Sequence, residues 1–187
     1  VLIEEAMNIV TELNSASTTV IQRKLSVGYA RAARIMDQLA DDECEIVLVS
    51  GDTTCHAERK SHEGVTALLR SLKERGKKVY VITATHDFTG DGYTHLYDGD
   101  ERKNVPEGVK REELYEFYRE FGPDQAIAYH EDSMSFVVQL CDGYRLFALN
   151  DDRNHKGASG FSDECFKWIE EQIEDAKKNN QFIIPMT

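Results

Sequence analysis

The sequence is poor in the residues that mark several classes of protein. It has four cysteines, three prolines and one tryptophan in 187 residues. The cysteines lie far apart and form no Cys-x-x-Cys pair, which argues against a zinc knuckle or a disulfide framework, and we expect free thiols. No apolar run approaches the roughly 20 residues that a membrane-spanning helix needs, so we expect no membrane span in this chain.

Basic charge is also scarce. The chain has 34 acidic and 22 basic residues and a formal net charge of -12. Such a charge repels a phosphodiester backbone, so any contact with DNA has to be local. The basic residues of the amino-terminal part lie close together, at Arg23, Lys24, Arg31 and Arg34.

The first 42 residues predict three short helices. Apolar residues recur at helical spacing from Leu2 to Leu13 and again from Tyr29 to Leu39, and a second helix can begin at Ser17 or Thr18. A turn at Gly28 separates the last two helices. This order of elements is typical of a helix-turn-helix segment, and a generic helical appendage is the alternative.

A strand, a helix and a second strand follow. Residues 45–50 form a β-branched apolar run, residues 57–75 have helical periodicity, and residues 78–83 form another apolar run. A right-handed crossover makes such strands parallel and brings their carboxyl ends to one sheet edge. We therefore expect Asp52 and His86 to lie near each other.

The remaining pattern indicates an α/β protein with a mixed sheet and flanking helices. We predict a long loop over residues 88–110 because this segment is rich in Gly and Asp. The Asp-Gly step at 142–143 indicates a hairpin. The other predicted elements are a helix over 111–121, strands over 135–140 and 144–150, a helix over 162–178 and a strand over 182–186.

Three residues at the predicted sheet edge could carry chemistry. Asp52 follows a strand and a glycine, as a metal ligand often does, and an ordinary loop carboxylate is the alternative. His86 beside Asp87 indicates a general acid or base with an orienting partner, or else a loop histidine held by a turn. The other histidines are expected to be surface residues: His56, His62, His95, His130 and His155.

Residues 43–187 resemble the calcineurin-like metallophosphoesterases. The matching stretches are residues 46–54, Glu58, residues 61–64 and residues 76–82, in the order and spacing of that family. The resemblance implies hydrolysis of a phosphoester substrate by water that two divalent ions activate, with manganese, iron or zinc as the metal.

The same resemblance implies roles for four residues. Asp52 would bridge the two metal ions, and His86 would act on the leaving group while Asp87 orients it. Thr85 stands at the position of the family's asparagine ligand. The segment lacks both family termini, with their Asp-x-His and histidine-bearing motifs, so we expect the activity to be impaired.

Residues 1–41 resemble the gamma domain of FtsK-type DNA translocases. The resemblance is carried by the stretches at residues 4–6, 15–17, 21–25 and 27–34. It implies a winged helix that binds double-stranded DNA and, if the segment is native, a cytoplasmic and bacterial protein. By resemblance the DNA-binding residues would be Arg23, Arg31 and Arg34, and Ala30 replaces a base-reading asparagine.

Both resemblances stop near residue 42, with no linker rich in Gly, Ser or Pro between them. We therefore predict two segments, 1–42 and 43–187. Either a natural fusion or a chimeric reading frame would produce this join. A folded remnant with neither activity is a third hypothesis beside the phosphoesterase and the DNA-binding module.

Overall fold

The structure is a computed structural model that describes residues 45–98, 101–151 and 160–187. The predicted helices of residues 1–42 lie outside the described residues. So do the three arginines assigned to DNA, at Arg23, Arg31 and Arg34.

The first described unit is the predicted strand, helix and strand. Strand β1 (Ile46–Ser50) pairs in parallel with β2 (Lys78–Ile82), and helix α1 (Arg59–Glu74) connects them. The register places Ser50 opposite Ile82, so both carboxyl ends lie at one edge. The prediction of two parallel strands with a common edge is confirmed.

Helix α1 packs one side against this pair of strands. Its buried residues follow a helical spacing of three and four. They are His62, Thr66, Leu69 and Leu72. The helix ends before Gly76, whose φ of +85° suits a residue without a β-carbon.

The prediction of a long loop over residues 88–110 is wrong. An antiparallel hairpin lies inside it, formed by β3 (Thr94–Asp98) and β4 (Glu101–Val105). Residues 101–104 of β4 are exposed, so this strand has no buried face and no alternating apolar pattern that would reveal it.

The helix predicted over residues 111–121 is divided into three short pieces. The α-helical part, α2 (Leu114–Tyr118), lies between 3-10 turns at Arg111–Glu113 and Arg119–Phe121. Gly122 ends the segment with a φ of +140°. A third 3-10 turn, Pro123–Gln125, follows and was not predicted.

A four-stranded sheet forms the second half. Its order is β5-β6-β7-β8, with β5 (Ala128–His130) and β8 (Phe182–Met186) at the edges. Strands β6 (Ser135–Cys141) and β7 (Tyr144–Ala148) form the predicted hairpin, while β7 and β8 are parallel. Helix α3 (Asp163–Lys178) agrees with its prediction, and β5 was missed.

Alternating side chains divide the core into layers. Val79 and Val81 of β2 pack toward α1, whereas Tyr80 and Ile82 pack against Phe136 of the four-stranded sheet and its neighbours. The opposite face of that sheet packs on α3. In the described residues α1 therefore packs on the β1-β2 pair and α3 on the four-stranded sheet, while β3 and β4 form a third, separate sheet. The metallophosphoesterase type of sheet stays a prediction.

Candidate functional site

The common edge of β1 and β2 brings Asp52 and His86 together, as the sequence predicts. Asp52 is exposed, with a φ of +52° directly after Gly51. The backbone N–H of His86 donates to Asp52 Oδ1 at 3.4 Å. The two residues are therefore neighbours through a long hydrogen bond between loop and carboxylate.

The imidazole of His86 is exposed and held by one contact. Its Nδ1 lies 2.9 Å from the carbonyl oxygen of Cys55. Since a carbonyl only accepts, Nδ1 donates and carries the hydrogen. In the neutral ring the free lone pair is then on Nε2.

Asp87 does not orient His86, and the predicted pairing is wrong. The Asp87 carboxylate is fully buried and accepts from the Thr53 hydroxyl at 2.8 Å, the Thr54 N–H at 2.9 Å and the Ala84 N–H at 2.9 Å. These donors hold it inside the protein while His86 lies outside. Burial outweighs them and raises the pKa of Asp87 to about 6.

His62 is buried, so its prediction as a surface residue is also wrong. Its Nε2 lies 2.9 Å from the carbonyl oxygen of Asp87, and its Nδ1 lies 2.7 Å from the hydroxyl of Tyr118. Burial lowers the pKa of His62 to about 4 and raises that of Tyr118. Both groups are therefore neutral at pH 7.

These groups form a continuous buried chain from Asp87 to His62. The Thr53 hydroxyl lies 2.8 Å from Asp87 Oδ1 and 2.8 Å from the Tyr118 hydroxyl, which in turn contacts His62 Nδ1. His62 Nε2 already donates to a carbonyl, so Nδ1 of the neutral ring has no hydrogen. Three contacts join Asp87, Thr53, Tyr118 and His62, but the hydroxyls of Thr53 and Tyr118 supply only two hydrogens for them. One added proton, on Asp87 or on His62, completes the chain.

The described residues do not fit a two-metal centre. Asp52 is the accessible carboxylate of the edge, and Thr85, which precedes His86 in the chain, is half-buried and has a hydroxyl. The buried carboxylate of Asp87 already accepts hydrogen bonds from Thr53, Thr54 and Ala84. Among residues 45–98, 101–151 and 160–187 no group of three His, Cys, Asp or Glu could hold a metal ion. A dinuclear site needs several anionic or imidazole ligands for each ion.

None of the helices that the structure describes is long and apolar enough to cross a membrane.

Comparison with known proteins finds similarity in the amino-terminal part. Residues 1–48 match the FtsK gamma domain family. The match covers the predicted helix-turn-helix segment and extends into the first three residues of β1. The resemblance of this segment to the FtsK gamma domain is therefore confirmed.

Curated relatives match over a short part of the chain. The DNA translocase FtsK of Clostridium acetobutylicum is 62% identical over 40 residues, which are 21% of this chain and 5% of that protein. The FtsK of Clostridium tetani is 58% identical over 40 residues, again 21% and 5%. That of Caldanaerobacter subterraneus is 55% identical over 38 residues, 20% and 5%. The chain thus spans about a twentieth of the length of these relatives.

Proposed function

We propose that the amino-terminal segment of this protein binds double-stranded DNA. The observation that supports the proposal is the match of residues 1–48 to the FtsK gamma domain, together with relatives that carry the name DNA translocase FtsK. By resemblance, Arg31 and Arg34 on the third predicted helix contact the duplex, and Arg23 contacts the backbone.

The charge of the chain sets the conditions for this binding. A net charge of -12 opposes DNA at long range, so the cluster between residues 23 and 34 has to act at close range. Contacts between arginine and phosphate release counterions, and affinity then falls as salt rises. We expect clear binding at low salt and steep weakening toward physiological salt.

Fluorescence anisotropy of a labelled duplex with the full chain tests the proposal. Changing both Arg31 and Arg34 to Ala should weaken binding about tenfold or more. The slope of log K against log salt concentration should become less steep by about one for each lost phosphate contact. The matched control changes Arg102 and Lys103, exposed on β4, to Ala and removes the same charge. Equal weakening by both double variants would contradict a local DNA-binding surface.

Metal-dependent phosphoester hydrolysis is the second candidate function, and the adjacency of Asp52 and His86 favours it. Because Asp52 is the accessible carboxylate at this edge, we propose an impaired site. Hydrolysis of bis(p-nitrophenyl) phosphate with manganese should stay at background, and manganese should leave the thermal midpoint unchanged. Manganese-dependent hydrolysis that Asp52→Ala abolishes would instead show an intact centre.

A further inference from the structure

A cleft lies apart from the edge that holds Asp52 and His86. It has a volume of about 790 Å³ and is bounded by the start of the 111–121 segment, by β5 and by the turn that leads into β6. Its walls include Tyr115, Tyr129 and Met134. This volume falls in the range of sites that bind small molecules.

Two aromatic rings meet in this cleft. The ring centroids of Tyr115 and Tyr129 lie 5.8 Å apart at an angle of 50°, which forms a corner and not a parallel stack. The guanidinium of Arg119 already lies over the ring of Tyr115, at 5.3 Å from its centroid. The electron-rich face of a tyrosine here therefore attracts a cation within the protein itself.

The charged residues of the cleft are mostly acidic. Glu112, Glu131 and Asp132 line it with one basic residue, Arg111. The pKa of Tyr129 rises to about 12 because of its burial and then because of Tyr115 and Glu131, while Arg111 acts in the opposite direction more weakly. Glu131 and Arg111 thus act on the Tyr129 hydroxyl in opposite directions, and the effect of the carboxylate is the larger.

A smaller cavity of about 20 Å³ has Tyr115, Tyr129 and Met134 in common with the cleft, and Arg119 also lines it. Thr83 forms part of its wall, is 6% exposed, and its hydroxyl oxygen has no hydrogen-bond partner among the described residues. Asn150, also in the wall, uses its amide groups on Thr83 N and on Met134 O. The cavity has room for a group of the size of a water molecule or a hydroxyl.

We propose that this cleft binds a small organic ammonium ion that carries a hydroxyl group, an amino alcohol of the choline type. The cationic head lies against the tyrosine rings among the carboxylates, and its methyl groups contact Met134. The ligand hydroxyl enters the small cavity and bonds with Thr83, whose buried oxygen lacks any other partner. A headgroup esterified at that oxygen cannot make this contact.

Titration calorimetry of the full chain with matched probes tests the proposal. Choline should bind saturably. Its uncharged isostere 3,3-dimethylbutan-1-ol should bind at least tenfold more weakly because it lacks the charge. Ethyltrimethylammonium keeps the charge and lacks the hydroxyl, and phosphocholine blocks the hydroxyl and adds negative charge. Both should bind more weakly than choline.

Variants separate the two parts of the site. Tyr129→Leu should weaken choline binding about tenfold or more, while Tyr93→Leu, an exposed tyrosine outside the cleft, should leave it unchanged. Thr83→Val should weaken the binding of choline and leave the binding of ethyltrimethylammonium unchanged. If Tyr129→Leu fails to fold, the double variant Glu131→Gln and Asp132→Asn removes the rim charges and should weaken both cations.

Three outcomes would overturn the assignment. Choline does not bind saturably, its uncharged isostere binds equally well, or Thr83→Val weakens the binding of choline and of ethyltrimethylammonium equally.

Discussion

The Nδ1 atom of His62 and the hydroxyl oxygen of Tyr118 lie 2.7 Å apart in the protein interior, on helices α1 and α2. Through Tyr118 and Thr53 this imidazole is connected to the carboxylate of Asp87. The pKa of Asp87 is raised to about 6, and that of His62 is lowered to about 4. Asp87 and His62, at the two ends of this series of hydrogen bonds, therefore change the stability in opposite directions as the pH changes.

We predict that these two effects nearly cancel. Asp87 holds its proton more tightly in the folded state, so its contribution is full below about pH 4 and is lost as the pH rises through 6. His62 holds its proton less tightly, so its contribution is full above pH 6.5 and is lost as the pH falls toward 4. Each shift corresponds to about 3 kcal/mol. Urea unfolding from pH 4 to 7 measures their sum.

Single variants should unmask each effect. As the pH rises from 4 to 6.5, the free energy of unfolding of Asp87→Asn should increase by about 3 kcal/mol more than that of the parent protein, because only the His62 effect remains. His62→Gln should lose a similar amount as the pH rises from 4 to 6. Curves that run parallel to that of the parent protein would show that neither group titrates as described.

Removal of the central hydroxyl should destabilise the protein at neutral pH. Tyr118→Phe keeps the ring but leaves the buried Nδ1 of His62 without a donor, at a cost of about 1–3 kcal/mol. Tyr115→Phe is the control, since it removes a hydroxyl from a half-buried ring of the neighbouring cleft. Chemical denaturation should show a clearly larger loss for Tyr118→Phe.

Gly51 should be far less tolerant of a β-carbon than Gly76. Both have similar positive φ angles, +81° and +85°. A β-carbon on Gly51 would lie 2.6 Å from that of Ala84, whereas none of the surrounding atoms comes within 4 Å at Gly76. Gly76→Ala should cost about 1 kcal/mol for its backbone conformation, and Gly51→Ala about 2 kcal/mol more. Equal thermal midpoints would argue against close packing of the two loops.

The start of α3 depends on one hydroxyl. Ser162 Oγ accepts a hydrogen bond from the N–H of Cys165 at 3.1 Å. Ser162→Ala should lower the stability by about 1 kcal/mol, because this N–H loses its partner at the first turn. Ser162→Thr keeps the oxygen and should retain most of the stability in the same denaturation experiment.

The elements that could be predicted from sequence are those with at least one buried face. In β6 the residues Phe136, Val138 and Leu140 face one core and Val137 the other, so the strand is apolar nearly throughout. The exposed β4 has no such pattern, and its hairpin was therefore missed. The division of the helix before Gly122 was missed because 3-10 turns often extend the two ends of an α-helix without a break in the chain pattern.

At the candidate site, the sequence predicted where residues lie better than it predicted their hydrogen-bond partners. The strand pattern placed Asp52 and His86 at one edge, since parallel strands end together. The fate of Asp87 depends on Thr53, 34 residues earlier, and that of His62 on Tyr118, 56 residues later. Neither partner is marked by spacing along the chain. A single sequence therefore indicates a surface histidine where the fold buries one.

The pairing of β8 has a consequence for association between molecules. Phe182 N donates to Gly143 O and Met186 O accepts from Leu149 N, so these residues of β8 face β7. Alternate residues of a strand face opposite neighbours, which turns the backbone of Pro185 toward the outer side. Proline has no N–H, so a strand from another molecule would find a missing donor at this edge. β8 is thereby protected against edge-to-edge aggregation, even though the side chains of Phe182 and Ile184 are exposed.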